Sequence, residues 1–74
     1  MPISENFRHN LRRRRRELNL SQEDLARRLN VSGPYVSQVE AGRTTPGLDV
    51  VERFAKALDL PAVALLLEPE ESLV

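Results

Sequence analysis

The stretch "LSQEDLARRLNVSGPYVSQVEAG", residues 20–42, decides how this chain folds. Ser21 is an N-cap residue, Asp24 three positions on supplies the acid of a capping box, and Leu20 before the cap can pack on Leu25 as a hydrophobic staple. Leu25, Ala26 and Leu29 give the helix that follows one apolar face. Asn30 ends it, because asparagine tolerates the left-handed backbone a sharp exit requires. Only Asn30 and Val31 separate this helix from the next cap, Ser32. Gly33 and Pro34 then fall in the first turn of a second helix, where proline lacks only a donor that would have no partner anyway. Val36 and Val39 face inward, Ser37, Gln38 and Ala41 lie on or near the opposite side, and Gly42 is the stop.

A link this short forbids antiparallel packing, so the two helices cross steeply and the second stands out from the body of the fold. A protruding helix has about the width that the major groove of DNA admits. The free N–H groups at the two helix starts, beneath Ser21 and Ser32, are placed to bind phosphates on either side of such a groove.

Working outward, Phe7, Leu11 and Leu18 recur at helical spacing with no Gly or Pro between Ser4 and Leu18, which predicts a first helix capped by Ser4 with Glu5 in its first turn. Its apolar stripe is interrupted at Arg14, which must snorkel or pair. Beyond Gly42, "RTTPG" is a turn. A fourth helix from about Leu48 to Leu58 carries Leu48, Val51, Phe54, Ala55 and Leu58 on its buried stripe, started by Thr45 or by Gly47. Pro61 pre-organises a short last helix, "PAVALLL". The expected architecture is all-α, a compact five-helix bundle containing a helix-turn-helix, with the domain at residues 4–67 and a short acidic tail at 68–74.

The 74 residues hold one domain at most, and with no cysteine and a single histidine, His9, there is no disulfide framework, thiolate metal site or catalytic dyad. No paired acid and base, nucleophile constellation or glycine-rich phosphate loop is evident, so an enzyme, a cofactor and a small-molecule ligand are not expected. No apolar run approaches the roughly 20 residues that span a bilayer, and the cytoplasm is the expected compartment. Eleven basic and eleven acidic residues cancel overall, yet residues 1–43 carry nine arginines against five acids while residues 44–74 carry two basic residues against six acids. The chain therefore has an electrostatic direction that its zero net charge conceals.

The run "LSQEDLARRLNVSGPYVSQVEAGRTTPGLDVVERFAKALDLP" resembles the helix-turn-helix family of phage lambda-type and Cro-type repressors, the XRE-like regulators, and the likeness extends from residue 7 to about 67. It implies a lambda-repressor-like DNA-binding domain. By position it makes Gln22 a contact to phosphate or an outer base, Gln38 a base-reading residue with Ser37 near the same face, and Arg43 a backbone contact. It also makes Arg15 and Glu40 an ion pair tying the first helix to the end of the recognition helix. Gly33 and Pro34 stand where several phage repressors place glutamines. Gly33 leaves room for close backbone approach, and the Pro34 ring can rest on a thymine methyl. From the residues themselves, Arg12 and Arg16 are the members of the arginine run expected at the DNA backbone. Tyr35 either reaches phosphate or closes the core.

Val63, Leu65, Leu66 and Leu67 offer more apolar surface than one short helix can bury in a small bundle, which predicts a two-fold dimer contact there. The expected function is a sequence-specific transcriptional regulator of double-stranded DNA, a repressor or autoregulator acting as a homodimer on an inverted repeat. The alternative is an antitoxin-like or adaptor module that chiefly holds a protein partner.

Overall fold

In the computed structural model, which describes residues 2–69, five α-helices follow one another. They are α1 (Ile3–Glu17), α2 (Gln22–Leu29), α3 (Gly33–Glu40), α4 (Leu48–Ala57) and α5 (Ala62–Leu66). α1 packs on α5 and on α3, α2 crosses α3, and α4 joins α2 to α5. Their apolar faces meet in one core of Phe7, Leu11, Leu25, Leu29, Val36, Val39, Phe54, Leu58 and Leu65. The Phe7 and Phe54 rings meet edge to face, with centroids 5.7 Å apart, the arrangement their quadrupoles favour.

The helix starts follow the expected chemistry except at α1. Ser21 forms a complete capping box: its hydroxyl accepts from the Asp24 N–H at 2.9 Å, and its own N–H donates to Asp24 Oδ2 at 3.0 Å. These contacts to Ser21, with the Arg27 charge, hold the Asp24 carboxyl below its ordinary range. Ser32 caps α3, and Gly47, the second of the two expected starts, caps α4 without a side-chain acceptor. At α1 the N-cap is Pro2, not Ser4, which lies inside the helix. The Pro2 carbonyl accepts from both the Glu5 and Asn6 N–H groups at 3.0 Å, so the first turn closes without a side-chain cap.

The helix ends share one device. After α1, α2, α3 and α4 a single residue turns left-handed, Asn19, Asn30, Gly42 and Asp59 respectively. The next N–H reaches back to the carbonyl five residues earlier: Leu20 to Arg15, Val31 to Ala26, Arg43 to Gln38 and Leu60 to Ala55. This is the Schellman closure. Leu20, Val31 and Leu60 then pack on the core, as the residue at that position commonly does.

Two expectations about burial need correction. Leu48 is 76% exposed: as the first residue of α4 it lies beyond the rim of the core, and Val50 packs inward instead. Leu65, expected at a dimer contact, is fully buried within the bundle, whereas Val63 and Leu67 on either side of it are 59% and 40% exposed. Leu66 is half-buried against the core. The reason is length: α5 has only five residues, one turn and a half, and so turns a single leucine fully inward. Arg14 snorkels as expected, its Nε donating to the Leu58 carbonyl at 3.0 Å.

Two buried asparagines were not anticipated. Asn6 Nδ2 donates to the Leu66 carbonyl at 3.3 Å, and Asn10 Nδ2 to those of Leu65 and Leu67 at 3.0 and 2.7 Å. They satisfy carbonyls at the end of α5 that its short length leaves without helical partners. Most of the expected tail, residues 70–74, lies outside the described residues.

Candidate nucleic-acid interface

α3 is anchored from behind and open in front. Val36 and Val39 are fully buried and Glu40 is 2% exposed, while Pro34, Ser37 and Gln38 are exposed. The Ser32 hydroxyl accepts from the Tyr35 N–H at 3.3 Å and Pro34 has no N–H, so that of Gly33 is the one left without a partner in the first three positions of α3. The start of α2 lies alongside, and Gln22, Glu23, Gly33, Pro34 and Ser37 line one open depression between the two helix starts. A Cβ at Gly33 would lie 3.3 Å from Glu23 Cγ, a tight contact that this exposed side chain could relieve by a small shift. Tyr35 is half-buried against the core.

The orientation of α3 is set by Glu40. Arg15 grips its carboxylate with two donors, Nε to Oε2 at 2.7 Å and Nη2 to Oε1 at 3.1 Å, the bidentate geometry of the strongest charge-assisted hydrogen bonds. The remaining Arg15 nitrogen, Nη1, donates to the Leu20 carbonyl at 2.8 Å, which ties the link before α2 into the same cluster. This is the ion pair the resemblance implied. Two further residues join it. Gln22 Nε2 donates to Glu40 Oε1 at 3.0 Å, and Arg12 Nη2 donates to the Glu40 backbone carbonyl at 2.9 Å. Burial pulls the Glu40 carboxyl upward, but the hydrogen bonds from Arg15 and Gln22 and the charges of Arg15 and Arg12 outweigh it and hold the group below its ordinary range.

Gln22 and Arg12, both expected at the DNA backbone, are thus each also held to Glu40. One hydrogen of the Gln22 amide is committed to Glu40 and one remains. The Arg12 charge is directed at the end of α3. A signal for Arg12 was present, since it lies one helical turn before Arg15 and any acid that meets Arg15 comes within its reach. The place of Gln22 depends on the angle between α2 and α3, which local spacing does not encode.

Arg43 and Arg16 are exposed, and neither makes an ion pair among the described residues. Arg43 stands at the Schellman position that holds Leu20, Val31 and Leu60 after the other helices. Unlike those three, Arg43 does not pack on the core. No group of three His, Cys, Asp or Glu residues could hold a metal ion among the described residues, and no helix is long and apolar enough to cross a membrane.

A family model described as a helix-turn-helix domain matches residues 6–67. An uncharacterised HTH-type transcriptional regulator of Mycobacterium tuberculosis is 42% identical over 67 residues, covering 84% of this chain but 48% of the relative, so the chain spans about half the length of that curated protein. The hypothetical transcription factor of Neisseria meningitidis serogroup B is 42% identical over 65 residues, covering 88% of this chain and 61% of the relative. The crystal structure of the Neisseria factor superposes with a TM-score of 0.92 at 38% identity, over 97% of this chain and 83% of that one. The restriction-modification controller protein C.AhdI of Aeromonas hydrophila does so with a TM-score of 0.78 at 34% identity, over 84% of this chain and 94% of that one.

Proposed function

The chain belongs to the helix-turn-helix domain family of DNA-binding transcriptional regulators, and we propose that it acts as a sequence-specific repressor or autoregulator, a homodimer bound to an inverted-repeat operator. The observation that carries this reading is the division of α3 into a locked inner face, Val36, Val39 and Glu40, and an exposed outer face, Pro34, Ser37 and Gln38. Such a helix enters a major groove with its reading side chains already positioned.

In this assignment Gln38 and Ser37 read base edges, the Pro34 ring rests on a thymine methyl, and Gly33 admits the backbone close to the DNA. The helix starts at Ser21 and Ser32, the free amide hydrogen of Gln22, the Tyr35 hydroxyl, Arg43 and Arg16 hold phosphates. Arg12 serves chiefly to position α3. The second copy docks through α5, where Val63 and Leu67 remain exposed beside half-buried Leu66.

Duplex selection from random sequence, followed by footprinting, tests the whole reading. It should recover an inverted repeat with half-sites about one helical turn apart, bound with a steep salt dependence. Failure to enrich any sequence, with no more retention on DNA than a neutral protein shows, would return the molecule to the adaptor class.

A further inference from the structure

Arg8, in the second turn of α1, lies against the end of α3. A Cβ built on Gly42 would fall 2.6 Å from Arg8 Nη1 and 2.9 Å from its Cζ. Gly42 is also left-handed, at φ 78°, so the missing side chain both permits the turn and makes room for the guanidinium. Phe7, Arg8, Gly42, Thr44, Thr45 and Pro46 line a cleft of about 60 Å³. Pockets for organic ligands run to roughly 300–1,000 Å³, whereas a water occupies about 30 Å³. The cleft is therefore too small for an organic ligand and is sized for a small polar group.

Three arginines further along α1 are engaged within the fold. Arg12 donates to the Glu40 carbonyl, Arg14 to that of Leu58, and Arg15 to the Glu40 carboxylate and the Leu20 carbonyl. Half-buried Arg8 makes no ion pair among the described residues. The negative end of α3, which would repel an anion, is already answered. The Gln38, Val39 and Glu40 carbonyls accept from Arg43 N–H, Gly42 N–H and Arg12 respectively.

We infer that this cleft is a phosphate-binding site, in which Arg8 and the Thr44 and Thr45 hydroxyls hold one backbone phosphate of the strand passing the C-terminal end of α3, beside Arg43. The inference rests on the DNA-binding reading above and extends it to a residue that neither the charge run nor the resemblance indicated. Arg8 thereby lengthens the backbone footprint along α1.

The test compares wild type, Arg8→Gln and Arg8→Lys on the selected operator and on random duplex across a salt series, with thermal unfolding of each protein measured alongside. Arg8→Gln should weaken both duplexes by the same factor and make the plot of log affinity against log salt shallower by about 0.9, the value of one lost phosphate contact. Arg8→Lys, which keeps the charge, should restore most of the slope. An Arg8→Gln slope equal to wild type overturns the assignment, whether affinity is unchanged or falls in step with a lowered unfolding temperature. A wild type with no salt dependence removes the DNA reading itself, so the two failures are distinct.

Discussion

Glu40 ties α3 to α1 and to the start of α2 through its carboxylate. Removing Arg15 by Arg15→Ala leaves the buried Glu40 carboxylate with only the Gln22 hydrogen bond and the Arg12 charge, and the loss should approach but not exceed about 3–5 kcal/mol, the cost of a wholly unpaired buried charge, a large part of the total stability of a domain this small. Urea unfolding at neutral pH should report it. The folded Glu40 carboxyl titrates below the ordinary value of 4.5, so on acidification the unfolded chain takes up the proton first. Its contribution is complete above that value and disappears as pH falls through the lower folded one. Glu40→Gln should therefore flatten the acid limb of the stability profile below pH 4.5, and an unaltered limb would assign acid sensitivity elsewhere. Gln38→Ala tests the outer face: it should relax selectivity at one base position per half-site by about 1–3 kcal/mol if the contact is bidentate, measured on a panel of operator variants. The Arg15–Glu40 pair was legible because the resemblance fixed both partners, whereas Asn6 and Asn10 were not. A polar residue beside Phe7 or Leu11 looks solvated until the chain shows that the end of a short helix needs donors there.

At the scale of elements, local chemistry was the most legible part of the chain. The Ser21 box, the left-handed Asn30, the Ser32 cap over Gly33 and Pro34, and the Gly42 stop are all interactions within a few residues, and each is present. Ser21→Ala should lower stability by about 1 kcal/mol, which for a domain of this size is a fall of about 4–8 °C in unfolding temperature; circular dichroism would follow it. What sequence spacing could not supply was where a stripe leaves the core. Leu48 has the right period and the wrong position, since it precedes the first turn that faces another helix. Leu65 has the composition of an interface residue and the environment of a core residue, because α5 is too short to serve both roles with every leucine. The stops at Asn19 and Asp59 were legible in principle from the same reasoning that identified Asn30.

For the whole molecule, the cancelling charges separate into a basic N-terminal part that carries α1 to α3 and an acidic C-terminal part, and Val63 and Leu67 lie on the latter. Val63→Asp should give a monomer by sedimentation while leaving the fold intact, because the site is exposed. Operator affinity should fall steeply toward that of a single half-site, since the second contact is then no longer intramolecular. A variant that stays dimeric with full affinity would exclude α5 as the joining surface. One helix connects these two regions: α1 holds the end of α5 through Asn6 and Asn10 and the end of α3 through Arg12 and Arg15. It is an unbroken rod with no joint between its two sets of fastenings. In a two-fold assembly the distance and phase between the paired reading helices would then be a property of that rod's stiffness. One base pair added at the centre of the operator would rotate one half-site by roughly 34°, and α1, one continuous helix, offers no hinge with which to follow it.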